Sequence, residues 1–345
     1  MKKLAAALKG IQQNIPPIWL MRQAGRYLPE YQLERTNFPN FMDFCLNPEA
    51  AAKVTLQPIQ RFDFDAAIIF SDILTIPHFL GQTVHFEPGN GPRLKKVGSE
   101  RVDWDSFLDK AEDIEIQELM TPVLEAIQNV RGSLCSSKSL IGFAGSPWTI
   151  ATYMLRGGKT QDFSGTVQFA KQLDGAFDRL IRLLENNIVT LLIQQIQAGC
   201  DVVQIFDSWA HVVPLLDRPA WLWRPLQRII HAIRQSYPDV PIIYYGKGVA
   251  DHYPALAQMI PNLAFGIDHS VDCAWARDNV QSVAPVQGNL SPEKLMAGGF
   301  ETDVDSILEK LSDGPFIFNL GHGILPKTPI AHVEALIKQV RNPRC

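Results

Sequence analysis

Short apolar runs recur along this 345-residue chain, each ending in a polar or glycine-rich corner. They are Pro17 to Met21, Ala66 to Phe70, Leu140 to Ala144, Val202 to Phe206, Ile242 to Tyr245, Leu263 to Ile267, Ala284 to Val286 and Phe316 to Leu320. Most are rich in Ile, Val and Phe and do not alternate with polar residues, which is the pattern of strands buried on both faces. Long amphipathic stretches separate several of them. Phe169 to Gln197 carries Leu173, Phe177, Leu180, Leu183 and Leu184 at helical spacing, and Trp223 to Gln235 and Val304 to Leu311 are similar. Strand, helix, strand in repetition implies a parallel sheet with helical crossovers. The chain has no low-complexity tract and no Pro/Gly linker to divide it. The runs therefore predict an α/β fold, a single-domain (β/α)8 TIM barrel over residues 1–345, with a doubly wound open sheet as the alternative. Pro16-Pro17 makes the first run the least regular. The segment from Val84 to Lys95, with Pro88-Gly89-Asn90-Gly91-Pro92 between its arms, reads as a hairpin or loop excursion.

In a barrel of this kind the carboxyl ends of the strands share one rim, where active sites lie. Arg22 follows the first run and Ser71-Asp72 the second; Gly145-Ser146-Pro147, with Tyr153 shortly after, follows the third. Asp207-Ser208, Gly246-Lys247-Gly248, Asp268-His269-Ser270, Gln287-Gly288-Asn289 and Gly321-His322-Gly323 follow the others. The formal net charge is −4, so no global field draws in nucleic acid or a membrane, and an anionic ligand needs local positive charge. Five scattered cysteines, Cys45, Cys135, Cys200, Cys273 and Cys345, form no Cys-x-x-Cys pair; reduced thiols in a cytoplasm are expected. The start, Met1 to Lys9, has too short an apolar stretch for a signal peptide, and no apolar run is long enough to span a bilayer.

Two leads fail on inspection. Gly158-Lys159-Thr160 imitates the tail of a phosphate-binding loop, but Tyr153 stands where its first glycine belongs. Gly321-His322-Gly323 opens like a dinucleotide fingerprint, but Pro326 occupies the third glycine position. The eight histidines include no His-Glu-x-x-His, so no metal site is expected. Arg22 and Arg26 are more informative: on a helix they would share a face, and guanidinium is a permanently charged fork suited to carboxylate. An ordinary surface pair with a partner such as Glu30 is the competing reading, and spacing alone does not separate the two. Asp72 reads either as a helix cap or as a charge that holds a developing cation. Tyr153 is otherwise a half-buried ring and Ser208 an N-cap, whereas His322 between two glycines is less easily a core filler.

Taken together, the segments resemble the uroporphyrinogen decarboxylase family. Trp19-Leu20-Met21-Arg22-Gln23-Ala24-Gly25-Arg26-Tyr27-Leu28-Pro29-Glu30-Tyr31 is similar to its amino-terminal signature, and Ile68 to Leu74 to its catalytic aspartate segment. Gly142-Phe143-Ala144-Gly145-Ser146-Pro147-Trp148-Thr149 with Tyr153 resembles a second signature, and Phe206 to Trp209, Val286 to Leu290 and Asn319 to Ile324 follow in the family's order. The resemblance covers nearly the whole chain. It departs at His269, where the family usually has tryptophan, at His211, where glycine is common, and at Tyr244-Tyr245.

The resemblance implies a cofactor-independent decarboxylation of the four acetates of uroporphyrinogen III to methyl groups, giving coproporphyrinogen III. It implies that Arg22 and Arg26 bind substrate carboxylates, assisted by Gln23 and the backbone near Ala24 and Gly25, with Arg35 reaching another. Asp72 would stabilise the protonated pyrrole, and either Asp72 or an arginine such as Arg22 would supply the first proton. Tyr153, Ser208 and His322 would hydrogen-bond carboxylates around the rim. A homodimer is implied as well. The rival readings are a corrinoid- or thiol-dependent methyltransferase of the same superfamily and a non-catalytic tetrapyrrole carrier.

Overall fold

Seven of the apolar runs become strands of one parallel sheet in the computed structural model, which describes residues 1–87, 91–158 and 164–342. In chain order the strands are β1 (Ala66–Ile68), β2 (Val84–Glu87), β3 (Gly91–Leu94), β4 (Ser139–Gly145), β5 (Val202–Asp207), β6 (Ile242–Gly246), β7 (Leu263–Gly266), β8 (Val286–Leu290) and β9 (Phe316–Leu320). β2 and β3 pair antiparallel as the expected hairpin. The other seven are ordered β1-β4-β5-β6-β7-β8-β9, every neighbouring pair parallel. Spatial order therefore follows chain order with no reversal, which rules out the doubly wound alternative. Pro88-Gly89-Asn90 of the hairpin centre, Lys159 and Thr160 of the rejected phosphate-loop lead, and Cys345 lie outside the described residues.

The first run does not form a regular strand, so the parallel sheet has seven among the described residues. It contributes a single parallel bridge, Ile18 to Phe318 of β9. The Phe318 N–H donates to the Pro17 carbonyl at 2.9 Å and the Trp19 N–H to the Phe318 carbonyl at 3.4 Å. On its other side the Asp65 N–H donates to the Ile18 carbonyl at 3.0 Å, while the Ile18 N–H donates to the Asp65 carboxylate at 2.9 Å. Pro16 and Pro17 have no N–H to give a ladder, and Ile18 gives its own to a side chain, so no regular strand forms. The run at Ala284 is also displaced, since β8 begins at Val286 and continues through Gln287, Gly288 and Asn289.

The two faces of the sheet carry separate apolar clusters. Trp19, Met21, Ala66, Ile68, Ile141, Val202, Ile243, Tyr245, Ala264 and Ile317 pack together on one face, with Leu4, Ala7 and Leu8 of the helix Lys3–Leu8. Side chains from β1 and β9 can meet in one small cluster only if the sheet curls around it. The other face packs against amphipathic helices such as Arg224–Ser236, which buries Leu226, Ile229, Ile230 and Ile233. The long stretch around Leu173 is two helices, Ser164–Leu173 and Gly175–Ala198, broken at Asp174 where φ is +46°.

Candidate active site

The segment after the first run is a turn, not a helix, so Arg22 and Arg26 do not share a helical face. Arg22 sits at φ +62°, a left-handed conformation that a non-glycine residue adopts at a cost. Neighbouring bonds hold it there. The Met21 N–H donates to Asn319 Oδ1 at 2.9 Å, and the Ile324 N–H donates to the Met21 carbonyl at 2.9 Å. Gln23 is fully buried; its Oε1 accepts from the Leu20 N–H at 3.1 Å and its Nε2 donates to the Ala66 carbonyl at 3.0 Å. Gln23 thus ties the turn to β1, and its amide is not turned outward as expected of a substrate ligand.

Arg22 and Arg26 are exposed, and among the described residues neither forms an ion pair. Glu30, the expected surface partner, is held instead by Arg61 at 2.8 and 2.9 Å. The backbone N–H groups of Ala24, Gly25 and Arg26 also have no hydrogen-bond partner among the described residues. The Arg22 stem lies across Gly323: a Cβ at that glycine would stand 2.4 Å from Arg22 Cδ. Two cations and three backbone donors of one turn are therefore left without an ion pair or hydrogen bond among the described residues.

Asp72 lies just beyond β1, half-buried. Its Oδ1 accepts the Leu74 N–H at 2.9 Å, and its carbonyl accepts from the Thr75 hydroxyl at 2.9 Å. The helix Thr75–Phe79 has no side-chain N-cap, so Asp72 braces the turn before it rather than capping it. The second carboxylate oxygen has no hydrogen-bond partner among the described residues. Burial pushes the Asp72 carboxyl up to about 6, against the Leu74 N–H and the Arg22 charge, which favour the anion.

Tyr153 is presented by the helix Pro147–Arg156, whose first turn is capped by the Ser146 hydroxyl on the Thr149 N–H at 3.2 Å. Its ring meets Trp209 edge-on at 6.3 Å. Burial raises its phenol above the usual range; Asp72 adds to this and Arg22 opposes it. His322 is half-buried, and desolvation followed by the Arg22 and Lys247 charges lowers its imidazole to about 4. It is therefore neutral near pH 7, a hydrogen-bonding group and not a cation. Arg22 thus lies near enough to Asp72, Tyr153 and His322 for its charge to bear on all three. Ser208, one residue before Trp209, caps no helix. Arg35 donates to the Phe38 carbonyl, and its guanidinium lies 6.0 Å from the Phe41 and Phe44 rings.

Sequence reasoning assigned no role to the carboxylates and tyrosines that fix the rim. Asp207 is buried at the end of β5 and accepts from the Thr149 hydroxyl at 2.7 Å and the Tyr244 hydroxyl at 3.1 Å. Asp268 accepts from the Gly248 N–H at 2.8 Å and the Ser270 N–H at 2.9 Å. Tyr245 crosses from β6 to donate its hydroxyl to the Gly321 carbonyl at 2.9 Å, directly before His322. The glycines beside His322 serve close approach, because a Cβ at Gly321 would stand 2.2 Å from the His269 backbone nitrogen. Among the described residues no three His, Cys, Asp or Glu side chains gather as a metal site. Cys273 donates instead to Asn289 Oδ1 at 3.1 Å.

The chain is similar to known proteins over nearly its whole length. The family model described as uroporphyrinogen decarboxylase matches residues 1–343. A protein of Mesorhizobium japonicum named uroporphyrinogen decarboxylase is 45% identical over 338 residues, covering 97% of this chain and 96% of its own. One from a Chelativorans species with the same name is 45% identical over 346 residues, covering 99% of each. Among solved structures, a methyltransferase from Methanosarcina mazei superposes with a TM-score of 0.73 at 19% identity, over 98% of this chain and 97% of its own. That likeness concerns the fold alone.

Proposed function

The chain belongs to the uroporphyrinogen decarboxylase family, and from that premise we propose how the residues at its strand ends remove carbon dioxide from the acetate side chains of uroporphyrinogen III to give coproporphyrinogen III. Loss of carbon dioxide from an acetate leaves an electron pair that needs a sink. A pyrrole protonated on ring carbon is such a sink, so the substrate supplies what a cofactor supplies in other decarboxylases. The resulting methylene-pyrrole takes a proton to give methyl, and the ring returns the extra proton.

The protein's task is then to grip a polyanion and stabilise a transient cation. Arg22 and Arg26, with the free N–H groups of Ala24 and Gly25, bind carboxylates. The partly desolvated Asp72 faces the pyrrole N–H groups and stabilises the protonated ring. Neutral His322, Tyr153 and Ser208 hydrogen-bond further carboxylates. Gln23 acts indirectly by holding the turn of Arg22, and Arg35 reaches substrate only if it leaves the Phe38 carbonyl. The observation that carries this reading is Asp72, a carboxylate with one oxygen unpartnered among the described residues and within reach of the charge of Arg22, which itself forms no ion pair there. Asp72→Asn should retain the fold and lose roughly 10²-fold or more in kcat. Turnover within a few-fold of wild type would remove Asp72 from the chemistry.

The bonds of Pro17, Ile18 and Trp19 to β9 and to Asp65 support a finer reading of the fold, in which this segment closes the curled sheet as the eighth element of a barrel. A homodimer is proposed from the family, to be tested by light scattering. Cys45, Cys135, Cys200 and Cys273 are free thiols, and no described helix is long and apolar enough to cross a membrane. The thiols support a cytoplasmic setting.

A further inference from the structure

The chemistry proposed for the rim leaves the cation after β6 without a task. Lys247 is half-buried, and among the described residues its ammonium has no ion pair and no hydrogen bond. Its backbone is firmly held. The Lys247 N–H donates to the Asp207 carbonyl at 3.1 Å, and the next N–H, of Gly248, donates to Asp268 Oδ2 at 2.8 Å. Gly248 sits at φ +67°, and a Cβ there would stand 2.8 Å from His211 Cβ, so this turn packs hard against the segment after β5.

The carboxylates at the ends of the flanking strands are engaged elsewhere. Asp207 accepts from Thr149 and Tyr244, and Asp268 from Gly248 and Ser270. Meanwhile the Tyr245 hydroxyl, 2.9 Å from the Gly321 carbonyl, brings the end of β6 against the turn that presents His322. The Lys247 charge is felt at both His211 and His322. Lys247 directly follows the carboxyl end of β6, its N–H bonded to the last residue of β5, so it stands on the same rim.

We infer that Lys247 is a further substrate ligand, binding a tetrapyrrole carboxylate on the β6 side of the rim. This inference rests on the decarboxylase reading. The carboxylate it binds belongs to a side chain that is not reacting. An ammonium paired with the departing carboxylate would stabilise the ground state and slow its loss. Lys247 therefore contributes uniform binding, which appears in KM and leaves kcat unchanged.

The test is steady-state turnover of anaerobically prepared uroporphyrinogen by wild type, Lys247→Met and Lys247→Arg. The expected result is a KM raised about tenfold or more in Lys247→Met with kcat within twofold, and a KM largely restored in Lys247→Arg. Wild-type KM in Lys247→Met, or a fall confined to kcat, overturns the inference while leaving the decarboxylase reading intact. Absence of turnover by wild type overturns both. If Lys247→Met melts below wild type, Lys247→Gln provides the same comparison with a polar tip in place.

Discussion

At Asp72 the environment works against the charge that the proposed chemistry needs. Burial raises its carboxyl to about 6, and only one of its oxygens has a protein donor. If the anion is the active form, kcat/KM should fall about tenfold per pH unit below pH 6 and level off above pH 7. His322, near 4, stays neutral across that range and adds no second limb. Stability should move the opposite way. A carboxyl whose folded pKa lies above its unfolded value favours the folded state below the unfolded pKa, and that contribution is lost as pH rises through about 6. Asp72→Asn should therefore raise the melting temperature at pH 8, by the equivalent of about 1 kcal/mol after allowing for partial exposure, and much less at pH 4. A melting temperature lowered equally at both pH values would show that Asp72 is mainly structural. Gly323 gives an independent test of the arginine. A methyl group there meets the Arg22 side chain at 2.4 to 2.9 Å, so Gly323→Ala should raise KM about tenfold with the fold retained. An unchanged KM would mean that the position of Arg22 is unimportant.

Opposite roles belong to opposite ends of the strands. At the carboxyl ends, Asp207, Asp268 and Tyr245 hold loops that carry candidate ligands. At the amino ends, Asp201 just before β5 accepts from Lys2 Nζ at 2.7 Å, Arg131 Nη1 at 3.1 Å and the Leu140 N–H of β4 at 2.8 Å. Asp201→Asn should cost about 1–2 kcal/mol in urea unfolding and leave KM and kcat unchanged. A kinetic defect without loss of stability would contradict this division. The strands themselves were legible in the sequence because burial on both faces removes polar alternation. β8 was placed too early because Gln287 and Asn289 look like loop residues. In the fold, however, the Gln287 amide bonds Trp19 and Gln204, and Asn289 bonds the carbonyls of Asp268 and Val271. The first run was read as a strand because its composition is apolar, although its prolines leave it one bridge. Arg22, Asp72, Tyr153 and His322 were legible as strand-end residues. The inward turn of Gln23 and the packing of Arg22 on Gly323 depend on contacts across some 40 to 300 residues of chain, which no local pattern reports.

For the whole molecule, the helix Lys3–Leu8 ties the amino terminus to the inner cluster of the sheet. Leu4 is fully buried there, so Leu4→Ala should cost about 2–5 kcal/mol and lower the melting temperature without a specific loss of activity. The sheet then presents to one side a rim where Arg22, Arg26 and Lys247 form no ion pair among the described residues and where Asp72, unlike the hydrogen-bonded Asp207 and Asp268, keeps one oxygen unpartnered among them. That asymmetry suits a polyanionic substrate whose reaction passes through a cation, and it is what a carrier would not need at Asp72. The most direct measurement is chromatography of the products after incubating the purified protein with uroporphyrinogen III under anaerobic conditions. Successive loss of the acetate carboxylates, ending at coproporphyrinogen III with carbon dioxide released, is the predicted result. Uroporphyrinogen recovered intact from folded protein that binds it would contradict the account and leave a carrier in its place.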